Sequence, residues 1–283
     1  MDMVSIGSIA VLVGGGVVAG VVAGLLGIGG GTLVVPLLVA TGVEGLQATA
    51  TSNLAILLTA TSGSVRNWHA GALHLRNVLA LGVPAAIAGQ LGVFIASDLV
   101  PEYVLLAGFA LLLLLNVYLI SLKKQAISQA TSAAMSESPS SATSPNNRHP
   151  DLKPNTAIAR WGTGGVAGLT AGLFGVGGGV IMVPLQILLL NERIKSAIQT
   201  SLGAIVLTSL FNTLGHAARG NVIWLAGLAV GCGGLVGAQL GTRFLPKLPD
   251  RAVSLVFRAL MLCLSTFTFY KAWQAFQTAQ TLL

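Results

Sequence analysis

Long apolar runs constrain this chain more than any other feature. Val104 to Ile120 contains no Asp, Glu, Lys or Arg. Several other uncharged stretches reach about 20 residues, the length at which a helix rising 1.5 Å per residue crosses roughly 30 Å of hydrocarbon. Lipid offers no hydrogen bonds, so the spanning backbone must satisfy itself as helices or as a closed barrel. Barrel strands are short and alternate apolar with polar residues; these runs do not. Composition agrees, with 54% hydrophobic and 8% charged residues, against roughly a quarter charged in soluble domains. An all-α polytopic membrane protein is expected.

Met1 to Gly7 carries no Lys or Arg, so the first apolar run reads as a retained segment, not a cleaved signal. Cys232 and Cys263 lie inside apolar runs and are expected to be small buried residues, with neither a disulfide framework nor a metal site implied. The net charge of +7 resides in short loops between apolar runs instead of a basic stripe, which points to membrane topology and away from nucleic acid.

The chain also matches itself. GLLGIGGGTLVVPL, Gly24 to Leu37, returns as GLFGVGGGVIMVPL, Gly172 to Leu185, and Gly16 and Gly20 upstream match Gly164 and Gly168. One residue later in offset, Thr51-Ser52 meets Thr200-Ser201, Gly71 meets Gly220, and Gln90-Leu91-Gly92 meets Gln239-Leu240-Gly241. Two homologous halves follow, residues 1–122 and 157–283. Residues 123–156, rich in Ser, Ala, Thr and Pro, read as a polar, disordered cytoplasmic linker.

Each half opens on a region too long for one helix and interrupted by Gly27, Gly29, Gly30, Gly31 and Pro36, or by their counterparts. The helix is expected to break there, with Thr32 and Val180 opening the next helices. Counting these regions once or twice gives about eight to ten membrane segments. Counting them twice inverts the second half and leaves only Arg219 and Lys271 of the 15 Lys and Arg outside the cytoplasm, the asymmetry that positive residues normally show. Inverted repeats are therefore expected. Leu33 to Gly42 spans only about 15 Å as a helix, so a partly inserted hairpin fits better than two full spans.

Two classes of residue are candidates for chemistry. Gly29, Gly30, Gly31 and Gly177, Gly178, Gly179 stand where backbone amides and helix dipoles favour an anion. Gly16, Gly20, Gly24 and their partners are more simply read as helix-packing glycines, which permit a homodimer without requiring one. Neither cluster has the Lys-Ser/Thr of a nucleotide loop, so no ATP motor is implied. Polar residues inside apolar runs form the second class, each costly in lipid without a partner. Thr51, Ser52, Gln90, Thr200, Ser201 and Gln239 are matched between halves; Asn53, Asn116, Gln186, Gln199 and Asn212 are not. The sets expected to line the path are those hydroxyls and amides with Thr32 and Asn53. His69, His216 and Arg66 are candidates for coupling or gating, His being the side chain that titrates near neutral pH. His74, Arg76 and Arg219 lie near them in sequence.

GLLGIGGGTLVVP with the following ATATSN, GLFGVGGGVIMVP with AIQTS, and the HAG at His69 to Gly71 resemble the TauE/SafE family of sulfite exporters, also called toluene-sulfonate uptake permeases. The resemblance covers both halves. It implies a bacterial inner-membrane protein moving sulfite, sulfonates or related sulfur-containing organic anions, with no cofactor. Leu202 stands where the first half has Asn53, so the site departs from strict symmetry. The reading is a secondary transporter or facilitator of a small oxyanion. The alternatives are an anion channel, which lacks alternating access, and a membrane-embedded enzyme, for which no converging nucleophile, acid or metal set is visible.

Overall fold

A computed structural model describes residues 6–101, 103–115 and 154–281. The expected linker lies almost wholly outside them, except that helix already begins at Pro154. The first half contributes α1 (Ile6–Leu26), α2 (Gly31–Ala40), α3 (Gly45–His69), α4 (Leu75–Asp98) and α5 (Tyr103–Leu115). The second contributes α6 (Pro154–Phe174), α7 (Gly179–Leu189), α8 (Ile194–Ala217), α9 (Trp224–Phe244) and α10 (Asp250–Thr281). No strand occurs among the described residues. Among the described residues, four helices are long and apolar enough to cross a bilayer: α1, α4, α8, and α9 continued to Lys247. Helix α3 is equally long at 25 residues, and its buried polar side chains are what make it less apolar.

The helix breaks fall where the glycines predict, one residue earlier than expected. Gly31 and Gly179 open α2 and α7, preceded by Gly30 and Gly178 at φ of +82° and +79°. An L side chain is strained at those angles, so only glycine turns the chain there without cost. Helices α2 and α7 hold 10 and 11 residues, about 15 Å each, or half a bilayer.

The first helix of each half packs into the other half. Helix α1 lies along α9, where a Cβ on Gly16 would stand 2.1 Å from the Val230 carbonyl oxygen and one on Gly20 2.4 Å from that of Gly234. Helix α6 lies along α4 in the same way, with Gly164 against Leu81 and Gly168 against Ala85. Such approach lets two backbones meet, which supplies the dispersion that replaces the hydrophobic effect in lipid.

Contacts also give the directions of the helices. Helices α3 and α9 run parallel, Leu58 meeting Gly231 and Thr59 meeting Gly234. Helices α4 and α8 do likewise, Gly82 meeting Ala204 and Gly89 meeting Asn212. The repeat-matched helices α3 and α8 are antiparallel, since Asn53 early in α3 reaches Asn212 late in α8 while Gly63 late in α3 reaches Leu202 early in α8. They pack together at the centre of the bundle, where Ile56 and Ile205 are fully buried.

Charge marks the two ends. At one end Arg160 pairs with Glu192 and Lys195 donates to the Pro246 carbonyl. At the opposite end Arg219 lies 3.7 Å from Asp98. Trp68 and Trp161 are exposed near the basic end, and Trp224 and Trp273 near the other, the placement of interfacial aromatic belts. Large apolar side chains such as Ile87, Leu91, Leu111 and Val236 face outward between them, as a lipid-facing surface requires. Cys232 and Cys263, expected to be buried, are exposed on that surface. Lipid solvates a thiol-bearing apolar run as well as a protein core does, so an apolar environment there needs no burial in protein.

These contacts predict that Gly168→Val, whose Cβ would lie 2.0 Å from the Ala85 carbonyl oxygen, lowers stability by about 2 kcal/mol or more. Gly162→Ala, which meets nothing within 4 Å, should be neutral or stabilising by up to about 1 kcal/mol. Thermal unfolding of the purified protein in detergent compares the two.

Candidate functional site

Because α1 and α6 are exchanged between halves, the two glycine turns meet. A Cβ on Gly31 would lie 2.4 Å from the Gly175 carbonyl oxygen, and one on Gly179 2.2 Å from that of Gly27. Gly29 and Gly177 both rest against Ile56 and Ile205. All six glycines expected to bind substrate are thereby gathered in one buried place, backbone against backbone.

Helices α2 and α7 begin here. Leu33 and Val34 donate to the Gly30 carbonyl, and Ile181 and Met182 donate to that of Gly178. The amides of Gly31, Thr32, Gly179 and Val180 precede those bonds and have no acceptor inside their helices. Two positive dipole ends therefore point into the centre of the protein. Thr32 is fully buried and its hydroxyl has no hydrogen-bond partner. Its counterpart Val180 offers no hydroxyl, so the polar part of this centre belongs to the first half.

The matched hydroxyls and amides divide by role. Thr51 Oγ1 accepts the Ile223 amide at 3.0 Å and anchors the start of α9. Ser52 Oγ lies 2.7 Å from the Gly175 carbonyl and 2.8 Å from that of Thr49, holding α3 to the second glycine turn. Ser201 accepts from Gln186 Nε2 at 2.8 Å, which ties α7 to α8. Thr200 is buried beside it on α8. Gln239 Nε2 donates to both the carbonyl and the hydroxyl of Ser62 at 3.0 Å.

Gln90, the counterpart of Gln239, is placed differently. Its Nε2 is buried without a partner, and its Oε1 faces Gly215 on α8. On the same side, Asn212 Nδ2 donates to Asn53 Oδ1 at 3.4 Å while Asn212 Oδ1 is left unpaired. His216, one turn further along α8, is fully buried; the Gly172 backbone lies beside its ring without completing a hydrogen bond of ordinary geometry. Asn53, Gln90, Asn212 and His216 thus form a polar patch between α3, α4 and α8. The equivalent positions in the other half carry Leu202, Gln239, Gly63 and Asn67.

Arg66 and His69 are not part of this patch. They lie at the last turn of α3, toward the basic end, where His69 is exposed. Asn212 has no polar counterpart in the first half, where Gly63 stands, so matching of the halves does not single it out. Ser209, Asn212 and His216 recur at helical spacing in an apolar helix and are all buried, and that spacing was the available signal. Arg160 and Glu192, largely covered and paired, are not legible as a pair in the sequence because most of α6 and the whole of α7 lie between them.

A family model described as sulfite exporter TauE/SafE matches residues 12–268. A Bacillus subtilis (strain 168) protein named probable membrane transporter protein YunE is 27% identical over 274 residues, covering 93% of this chain and 98% of its own length. A Xylella fastidiosa (strain Temecula1) protein named probable membrane transporter protein is 27% identical over 276 residues, covering 95% and 98% respectively. No solved structure matches the chain.

The geometry predicts that Asn53 and Asn212 are energetically coupled. A double-mutant cycle on Asn53→Ala and Asn212→Ala, read from unfolding in detergent, should give a coupling of about 0.5–2 kcal/mol. The matched pair Thr59 and Thr208, which bond only within their own helices, should give none.

Proposed function

The chain belongs to the TauE/SafE family, a family of membrane transporters, and on that premise we propose that it is a secondary transporter or facilitator of a small sulfur-containing oxyanion such as sulfite or a simple sulfonate. The observation that carries this reading is the meeting of two half-helix N-termini at the centre of the bundle beside an unpartnered, buried Thr32 hydroxyl. Backbone amides and dipole ends favour negative charge without placing a permanent cation in the membrane. In transporters built from inverted repeats, broken helices place substrate near the midplane in this manner.

Antiparallel α3 and α8, with the half-helices related in the same sense, support an inverted-repeat arrangement. In the conformation described, the glycine turns are packed against each other. The anion would enter when one repeat moves against the other and separates them, with Thr32, Ser52 and the freed amides as its ligands. The asymmetric patch of Asn53, Gln90, Asn212 and His216 would form the polar path on one side of that centre. The Gln90 Nε2 amide and the protonated ring nitrogen of His216 lack acceptors, which a passing oxyanion would supply. The basic end would face the cytoplasm of a bacterial inner membrane, together with the linker, following the retention of Lys and Arg on that side.

The test is uptake of sulfite and methanesulfonate by purified protein in proteoliposomes, comparing wild type with Thr32→Val. That substitution removes the hydroxyl at nearly constant volume and copies Val180. Saturable flux is expected, with KM raised roughly tenfold in the variant. Flux that rises linearly with concentration would mark a channel and overturn alternating access; saturable flux unchanged by Thr32→Val would move the site away from the glycine turns.

A further inference from the structure

One ionic cluster lies outside the centre and has no part in it. Arg160, on the second turn of α6, is 5% exposed. Its Nη1 donates to Asn77 Oδ1 on α4, its Nη2 lies 3.3 Å from Glu192 Oε1, and its Nε is buried without a partner. Glu192 sits in the short connection between α7 and α8, its side chain only 13% exposed. Its Oε2 is buried and unpartnered, and its backbone amide is fixed to the Gln186 carbonyl. The cluster spans the two halves, since Asn77 belongs to the first and Arg160 and Glu192 to the second.

A buried guanidinium with five donors is incompletely served by one carboxylate oxygen and one amide oxygen. A buried carboxylate with one bare oxygen is equally incomplete. The arrangement is costly as a permanent ion pair and well suited to exchange. An incoming sulfonate presents three oxygens to the same planar fork, the geometry that favours Arg in oxyanion recognition.

We propose that Arg160 and Glu192 form a proton-coupled anion site at the basic end of the bundle, where the substrate anion and the Glu192 carboxylate compete for one guanidinium. The proposal rests on the anion-transport reading above and supplies its driving ion. When Glu192 takes a proton on its open Oε2, the carboxylate becomes a neutral acid, its attraction to Arg160 weakens, and the guanidinium receives the anion. When the anion leaves, Arg160 draws the carboxylate back and the proton is released. One proton accompanies one anion, and the charge of the site is the same before and after.

The surroundings favour this exchange. Burial pushes the Glu192 carboxyl above the usual carboxylate range, and the charges of Arg160 and His74 pull it back only in part. Arg160 faces it from α6 and His74 from the start of α4. Arg193 follows it in the chain and is exposed, while Lys195 is directed to the Pro246 carbonyl. No second carboxylate faces it among the described residues.

Two measurements test the proposal. Infrared difference spectroscopy on detergent-purified protein, titrated with acid and without any substrate, should show a carboxyl band that protonates above the ordinary carboxylate range, absent in Glu192→Gln. If Glu192 stays ionised as pH falls through that range, the proposal is overturned whether or not the protein carries anions. In proteoliposomes containing a pH-sensitive dye, an inward proton gradient should drive accumulation of methanesulfonate, chosen because it carries no titratable proton of its own. Glu192→Gln should still exchange methanesulfonate across the membrane, with the accompanying proton entry reduced roughly tenfold or more. Arg160→Gln should weaken methanesulfonate binding by roughly tenfold to a hundredfold. The double variant removes both charges and guards against misfolding from an orphaned Arg160; it should retain the fold and show no proton coupling. Proton-coupled accumulation equal to wild type in Glu192→Gln, or in a folded double variant, would overturn the proposal. Absence of any anion flux in wild type would overturn the transport reading, while the infrared titration would still decide whether Glu192 is the proton site.

Discussion

Close approach of bare backbones is the interaction on which the rest of this protein depends. Helices α1 and α9, and α6 and α4, touch through glycines whose missing Cβ atoms leave room for carbonyl oxygens barely more than 2 Å from where those atoms would be. In lipid no hydrophobic effect drives two apolar helices together, and dispersion at short range must do so. The same contacts carry the first helix of each half into the other half, bringing both glycine turns to one point. Packing and the site therefore share one cause.

Around that point the halves are alike in backbone and unlike in chemistry. Glycines, prolines and helix directions are repeated, yet Thr32 faces Val180 across the pseudo-symmetry, and Asn53, Asn212 and His216 answer to Leu202, Gly63 and Asn67. Buried polar groups are expensive at membrane depth, and the expense is concentrated on one side. A symmetric frame thus holds an asymmetric polar patch. Much of the remaining polarity is structural: Thr51, Ser201 and Gln239 spend their hydrogen bonds joining helices.

Charge is confined to the ends, where water is available. At the basic end this confinement is incomplete, because Arg160 is drawn under cover and held by groups from both halves. A guanidinium so placed registers the relative position of the halves as well as the charge around it. In the mechanism proposed above, a central anion and a peripheral proton would communicate through one moving unit, with no chain of contacts needed between them.

The sequence by itself determined that the protein is helical, lies in a membrane, is built from two related halves, and breaks its first helix in each half at a triple glycine. These properties are local: run length, charge, offset and permitted φ are all legible along one dimension. Which residues meet was a matter for the tertiary structure. Gly16 and Val230, and Arg160 and Asn77, are brought together only when α1 and α6 change places, Asn53 and Asn212 only when α3 packs antiparallel on α8, and nothing in their spacing announces it. Matching of the halves also passes over Asn53, Asn212 and His216, because it rewards symmetry and these residues depart from it. Whether Thr51 and Gln90 complete a hydrogen bond or keep an open one depends on the neighbour that packing supplies: Thr51 meets the amide of Ile223, and Gln90 meets glycine.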